Sequence, residues 1–287
     1  MYLTSHPVTG DKHQPITNLD RNKHVTCNCF TISDGELQEI GVGLYPSLSL
    51  LNHDCRPNCV MVFEGTKIQL RAVQDVNPGD ELTISYTETL SLTEDRQKQL
   101  DDQYHFICHC QRCESPEKDG LMLSGEKTKW IPLKEALSRL EGLKTESRIL
   151  YLYRANWQAL LESCSHLLSA VGELPDENLY KLRITDMALD ASVHLGLWEE
   201  ALRYGMKTLP AYRLHFPDPH PVHGVQLMRV GKLQHHLENT EDALDTFKQA
   251  FKILKLTHGE DHPLSLELQM KMEECRCEMD HQVLGKH

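Results

Sequence analysis

Long apolar runs are absent from this sequence of 287 residues. No stretch approaches the ~18 consecutive apolar residues that a membrane-spanning helix requires. The first 23 residues also lack a charged start followed by an apolar stretch, which is the pattern of a secretory leader. We therefore expect a protein that works inside the cell and has no membrane segment.

Positive charge is also in short supply, because 30 Lys and Arg residues stand against 42 Asp and Glu residues. Binding to a phosphate backbone needs a basic face, so a formal charge of −12 predicts no direct sequence-specific contact with nucleic acid. An acidic surface instead favours encounter with basic partners, and lysine-rich protein tails are of this kind.

Cysteine is plentiful, with ten residues, but a disulfide framework is not expected inside the cell, where thiols stay reduced. Three of them follow the pattern Cys108-x-Cys110-x2-Cys113 and offer three soft ligands within six residues. Zinc prefers four such ligands in a tetrahedron. The spacing therefore favours a metal site, and the alternative is a coincidental group of reduced thiols.

The first third of the chain alternates between short strand-like runs and turns. The predicted elements are, in order, a helix around Tyr45–Leu51, strands at Val60–Phe63 and Lys67–Val73, a turn at Asn77–Asp80 and a strand at Glu81–Tyr86. Short strands bounded by Gly, Pro, Asn and Asp are typical of a small, irregular β fold.

The pattern becomes helical from Thr93 onward, and a polar linker is predicted at 116–125. Beyond the linker, apolar residues recur every three or four positions, as in amphipathic helices. An internal repeat follows, because 195–202 resembles 237–244 and a His-Pro pair at 220 recurs at 262, both at an offset of 42 residues. Such a repeat predicts stacked helix pairs, a tetratricopeptide (TPR)-like solenoid that binds peptides.

Two motifs together indicate a family. An Asn-His-x-Cys-x-Pro-Asn segment at 52–58 precedes a Glu-Leu-x-x-x-Tyr segment at 81–86, and this order resembles the C-terminal half of a SET domain, the lysine-methyltransferase fold. The cysteine cluster resembles a post-SET zinc site, and the later helices resemble those of the SET-and-MYND (SMYD) methyltransferases. The resemblance implies an α+β, mostly α protein: a partial SET β-fold with a post-SET zinc site, followed by a TPR-like α-helical solenoid.

The resemblance also divides the chain. It implies an unmatched flexible arm at 1–24, the C-terminal half of a SET domain at 25–90, a post-SET zinc segment at 91–114 and a TPR-like helical domain at 115–287. In relatives a zinc-binding MYND finger and the N-terminal SET half stand where the arm stands here. We therefore expect a truncated or alternatively started form.

Several residues match positions that act in the family. The resemblance places the hydroxyl of Tyr86 at the reacting centre and makes Phe30 and Ile84 walls of the substrate channel. Taken alone, Tyr86 also suits a half-buried strand position, and the two Phe residues at 30 and 106 also suit an apolar core. Contacts to S-adenosylmethionine (SAM) are implied for Asn28, Ser49, Asn52, His53, Tyr86 and Phe106.

The resemblance supplies Cys55 as the fourth zinc ligand beside Cys108, Cys110 and Cys113, which gives one closed structural site with four cysteine ligands. Asp54 departs from the family, where most relatives have Ser at this place. A carboxylate here would need a hydrogen-bond donor if it were buried.

The function implied is a SAM-dependent protein-lysine N-methyltransferase acting on histone tails and other lysine-bearing proteins. A monomer in the cytoplasm and nucleus is expected, with peptide partners for the TPR-like helices. The alternative is a catalytically inert TPR-like scaffold that binds partner proteins.

Overall fold

The computed structural model describes residues 28–34, 37, 39–115, 117–149 and 154–284. It separates into two compact units: unit 1 is Met1–Glu88 with Thr93–Glu114, and unit 2 is Thr89–Leu92 with Ser115–His287. Helices dominate and strands are few and short, which confirms the predicted α+β, mostly α class. The expected arm at 1–24 lies outside the described residues, and the four-part domain division stays a prediction.

Unit 1 holds six short strands in three pairs. β1 (Cys29–Ser33) is antiparallel to β2 (Glu39–Leu44), β3 (Asn52–His53) is parallel to β6 (Thr83–Ile84), and β4 (Cys59–Glu64) is antiparallel to β5 (Lys67–Ala72). The last pair confirms the two predicted strands to within one residue at each end. A two-residue turn joins them, and Gly65 adopts the positive φ of 60° that such a tight hairpin favours.

Two predicted elements of unit 1 differ from the structure. The residues from Tyr45 to Leu51 form successive turns instead of a helix, with the amides of Leu48 and Ser49 both donating to the Tyr45 carbonyl. The chain must extend into β3 at Asn52, which leaves too few residues for a stable helix. The predicted strand at 81–86 is reduced to β6, because its partner β3 is only two residues long.

Two helices of unit 1 lie within the described residues after Thr93, α1 (Thr93–Tyr104) and α2 (Gln111–Glu114). α1 confirms the helical pattern expected from Thr93, and the acidic residues in its first turn favour its positive end. Its inner face buries Arg96 and Leu100 completely. Around that face lies a small core of Cys55, Leu100 and Cys108, packed against three aromatic rings and two further cysteines.

Unit 2 is helical and has a large apolar core of its own. Its helices are α3 (Glu117–Met122), α4 (Lys127–Ile149), α5 (Arg154–Ala170), α6 (Leu179–Leu195), α7 (Trp198–His215), α8 (Pro221–His236), α9 (Thr240–Thr257) and α10 (Pro263–Leu284). From α5 onward each helix packs on the next one in the chain. The predicted linker at 116–125 contains α3, which is anchored by the fully buried Met122. None of the described helices combines the length and apolar composition needed to cross a bilayer.

The 42-residue repeat has a structural counterpart at the helix starts. His220 and His262 stand directly before α8 and α10, and the Nδ1 atom of each accepts the backbone amide two residues later at 3.2 Å. Pro221 and Pro263 open the two helices, where their missing amide hydrogens cost nothing. The His-Pro pair is therefore a helix-start signal that unit 2 uses twice.

Close packing of the helices depends on glycine as well as on the small Ala201 and Ala243, which are fully buried. A Cβ atom on Gly205 of α7 would lie 2.9 Å from Val230 of α8. A Cβ atom on Gly231 of α8 would lie 2.6 Å from the ring of Phe247 in α9. Neighbouring helices thus approach each other through positions without a side chain.

We predict that Gly231→Ala destabilises the protein by ~1–3 kcal/mol, because the fully buried ring of Phe247 must move aside. Urea unfolding measures the change. Gly142→Ala is the matched control, since no atom lies within 4 Å of its added Cβ, and a gain of up to ~1 kcal/mol is expected from helix propensity alone. Equal stability of the two variants would contradict the packing argument.

Two acids of α6 share a mostly buried charge cluster. Burial disfavours the charge of Asp190, but Arg229 and Lys144 outweigh that effect and lower its pKa to about 2. The ammonium of Lys144 lies 2.6 Å from the Asp190 carboxylate, which also pairs with Arg229. Asp186 accepts a hydrogen bond of 2.6 Å from the Tyr212 hydroxyl, yet burial raises its pKa to about 6.

The pKa of Asp186 gives the stability a defined pH dependence. Its folded pKa lies above its unfolded value of 3.8, so the free energy of unfolding decreases as the pH rises from 4 through 6, by up to ~3 kcal/mol. Asp186→Asn removes this decrease, and its stability relative to the natural chain should grow over the same range. Urea titrations at several pH values test this, and Asp190→Asn is the control, with an expected loss of stability at neutral pH. A difference independent of pH would refute the assignment.

Candidate functional site

The segment from Asn52 to Cys59 lies against the chain around β6. The side-chain amide of Asn52 donates to the Glu81 carboxylate at 2.5 Å. Asn58 donates to the Glu81 carbonyl at 2.8 Å and accepts the Thr83 amide at 2.9 Å. The two Asn residues of the motif therefore fasten both of its ends to the Glu-Leu-x-x-x-Tyr segment.

Tyr86 follows β6 and is held at both ends. Its backbone amide donates to Nδ1 of His53 at 2.9 Å, and its hydroxyl donates to the carbonyl of Leu51. Its ring packs 4.7 Å from that of Tyr104 and 5.2 Å from that of His53. Burial raises the pKa of the Tyr86 phenol, so this hydroxyl stays protonated at neutral pH.

A cavity of about 340 Å³ opens beside the Tyr86 ring in unit 1. Four of the predicted site residues line it: Phe30, Ser49, Ile84 and Tyr86. The Ser49 hydroxyl faces the carbonyl of Asn28 at 3.5 Å, which places Asn28 at its edge. The volume falls within the range of small-molecule sites.

The other predicted site residues lie next to this cavity and are not part of its lining. The ring of Phe106 is 6.0 Å from that of His53, which in turn touches Tyr86. Asn52 is exposed and is engaged by the Glu81 carboxylate. Burial lowers the pKa of His53 to about 4, so its imidazole is neutral at physiological pH.

Helix α1 contributes cavity residues that sequence reasoning missed. Gln99, Gln103 and Tyr104 line the cavity from this helix, and Met61 lines it from β4. The spacing of α1 contained the signal, because Tyr104 lies four residues after the buried Leu100 and therefore shares its face.

The four predicted metal ligands are brought together. The sulfur atoms of Cys55, Cys108, Cys110 and Cys113 all lie within 4.8 Å of one another. Zinc–sulfur bonds of ~2.3 Å in a tetrahedron place the sulfurs about 3.8 Å apart, so the cluster fits a zinc ion bound by four cysteines. Burial raises the pKa of the Cys55 thiol, and it raises that of Cys108 to about 12. A nearby cation is therefore needed to hold these sulfurs as thiolates.

The side chain of Arg96 is fully buried beside the cluster. Its guanidinium lies 3.8 Å from the Cys113 sulfur and donates to the Thr93 hydroxyl at 3.0 Å. Four thiolates around one divalent ion carry a net charge of −2, which a buried guanidinium partly balances. The Asp54 carboxylate also has a hydrogen-bond donor, since it accepts the Arg56 backbone amide at 2.6 Å.

Known proteins match most of this chain. The SET domain family matches residues 8–87, so the match begins inside the segment expected to be an unmatched arm. Histone-lysine N-methyltransferase SMYD3 of Homo sapiens is 47% identical over 252 residues, and the Mus musculus protein of that name is 46% identical. N-lysine methyltransferase SMYD2 of Mus musculus is 34% identical over 256 residues.

These matches cover 87–88% of this chain but only 57–58% of each relative. The chain thus spans a little over half the length of the curated relatives it matches. The higher identity to SMYD3 than to SMYD2 agrees with a relation to the third vertebrate member of the family. Because identity at this level extends through the SET-matched segment and well into the helices after it, this chain belongs to the SMYD family of SET-domain proteins.

Proposed function

We propose that this chain is a SAM-dependent protein-lysine N-methyltransferase. The observation that carries the proposal is the placement of the Tyr86 hydroxyl, which is fixed on the Leu51 carbonyl beside a cavity with aromatic and apolar walls. Methyl transfer to a lysine amine needs such a positioned oxygen and a dry channel.

The apolar side chains of the cavity favour the reactive, uncharged form of a substrate lysine. Phe30, Met61 and Ile84 line part of the cavity with side chains that cannot solvate an ammonium group. Desolvation lowers the pKa of an entering lysine and favours the uncharged amine, which is the form that can attack a methyl carbon. Bound SAM would supply that carbon on a sulfonium, from which sulfur leaves with the bonding electrons.

Tyr86 acts as an orienting group in this scheme. Its proton is engaged by the Leu51 carbonyl, so its oxygen presents lone pairs to neighbouring donors. Its raised pKa means that it does not serve as a general base at neutral pH. Polar contacts for the cofactor are proposed at Asn28, Ser49 and Asn52, and packing contacts are proposed on the rings of His53 and Phe106.

The substrates proposed are lysine-bearing proteins, histone tails among them. The names of the two relatives describe histone-lysine and lysine methylation by those proteins. The net charge of −12 favours encounter with basic tails. We propose further that the chain works as a monomer in the cytoplasm and nucleus.

We propose that the cysteine cluster holds one structural zinc ion, with all four positions taken by sulfur. Residues at 52–59 and 108–113 would then be tied together beside Tyr86. Unit 1 has only a small apolar core, so the metal would contribute directly to its folding.

The purified chain should carry one zinc ion, and Cys55→Ser should lower zinc content well below one per chain and destabilise unit 1. Elemental analysis and thermal unfolding measure both effects. Cys277→Ser is the control, because Cys277 is exposed and lies outside the cluster. Full zinc occupancy in Cys55→Ser would rule out the proposed ligand set.

Tyr86→Phe should reduce methyl transfer to a basic peptide by about 10²–10³-fold while SAM binding changes little, because only the oriented hydroxyl is lost. Tyr45→Phe is the matched control, since its hydroxyl bonds to the Thr66 carbonyl on the surface. Calorimetric titration of SAM, expected near micromolar strength or about −8 kcal/mol, accompanies the assay. A folded chain that binds no SAM would contradict the proposal.

A groove in unit 2 supports a second candidate, the peptide-binding scaffold. It has a volume of about 760 Å³ and is lined by α7, α8 and α9. Its rim carries the exposed side chains of Met206 and Leu256 and the cations Arg213 and Lys252. Absence of SAM binding in the folded chain, together with retained peptide binding, would favour this function over the first.

A further inference from the structure

The imidazole of His53 lies between the cysteine cluster and Tyr86. Its Nδ1 atom is 2.9 Å from the backbone nitrogen of Tyr86, and its Nε2 atom is 3.2 Å from the sulfur of Cys55. Both partners lie in unit 1, one among the four metal-site cysteines and the other beside the cavity. A single ring therefore touches both sites.

The geometry determines which nitrogen carries the proton. A backbone amide can only donate, so Nδ1 of His53 must hold a lone pair to accept the Tyr86 amide hydrogen. The proton of the neutral ring is then on Nε2, which faces the Cys55 sulfur. A thiolate that binds a metal keeps lone pairs that can accept this hydrogen.

Both ring nitrogens are thus engaged inside the protein. The resemblance assigned His53 to cofactor contact, but neither nitrogen has a hydrogen-bonding position left for a ligand in this arrangement. A backbone hydrogen bond joins the same two segments, because the Asp54 amide donates to the Ile84 carbonyl at 3.0 Å. The imidazole sets the distance between the sulfur and Tyr86, and the strand pair sets the register.

We propose that His53 is a positioning residue that couples the cysteine site to Tyr86 through its two ring nitrogens. When the cluster binds its metal, the Cys55 sulfur becomes fixed and charged, which fixes the plane of the imidazole. The fixed ring holds the Tyr86 amide and, through it, the hydroxyl beside the cavity. This inference rests on the proposed function in two respects, the metal that the cysteines bind and the action given to Tyr86.

Two substitutions separate the two hydrogen bonds. His53→Asn places an amide oxygen near the position of Nδ1, where it can accept from Tyr86, but it does not reach Cys55. His53→Gln extends an amide nitrogen to the position of Nε2, where it can donate to Cys55, but it leaves the Tyr86 amide without its acceptor. His109→Asn is the matched control, because His109 is an exposed histidine between two of the cysteines.

The test uses two readouts on the full chain loaded with Co²⁺ in place of zinc. The sulfur-to-cobalt absorption band and the rate of metal loss to a chelator report the bond to Cys55. Hydrogen exchange at the Tyr86 amide, followed by mass spectrometry, reports the other bond. Neither readout needs SAM or activity, so failure of the methyltransferase proposal would not affect the result.

A crossed pattern is expected. His53→Asn should shift the absorption band to longer wavelength and release metal about 10-fold faster, with the Tyr86 amide still protected. His53→Gln should keep the band and the release rate and lose the protection, and His109→Asn should change neither. Identical behaviour of the two His53 variants on both readouts would overturn the proposal. If one variant fails to fold, the other still tests the proposal, because each variant should lose one of the two hydrogen bonds and keep the other.

Discussion

The convergence of Cys55 on the three cysteines at 108–113 is the constraint on which unit 1 depends. Cys108 follows Cys55 by 53 positions, so closing this contact costs chain entropy that local interactions cannot offset. The apolar core around the cluster is small, and the four sulfur atoms lie within 4.8 Å of one another, close enough to share one metal ion. With this contact formed, the short strands of unit 1 mainly set the register of the segments that they pair.

The cysteine cluster also supports the aromatic residues beside the cavity. Tyr86, Tyr104 and Phe106 pack against the core that contains the cysteines, so the groups beside the cavity share supports with the metal site. Arg96 of α1 is buried beside the sulfur atoms, where its positive charge would partly balance the negative charge of thiolates. Structure and reactivity are therefore difficult to separate in this unit.

Unit 2 is held together by helix packing instead of a cysteine cluster. Its helices bury a large apolar core and use glycine where they approach most closely. Its charged network around Asp186 and Asp190 is mostly buried and links α4, α6, α7 and α8. The groove lined by α7, α8 and α9 lies on the surface of this unit.

The sequence by itself determined what depends on neighbours along the chain. The β4–β5 hairpin, the start of α1, the His-Pro helix starts and the 42-residue repeat are all set by local signals, and the motif spacing identified the family. Only the tertiary structure decided which residues meet across long separations. It buried Arg96, brought Tyr104 to Tyr86, and gave the His53 ring its two partners, because residue spacing shows which side chains share a helix face but not what that face contacts after folding. The helix expected at 45–51 failed for the same reason, since the need to extend into β3 outweighed the local preference.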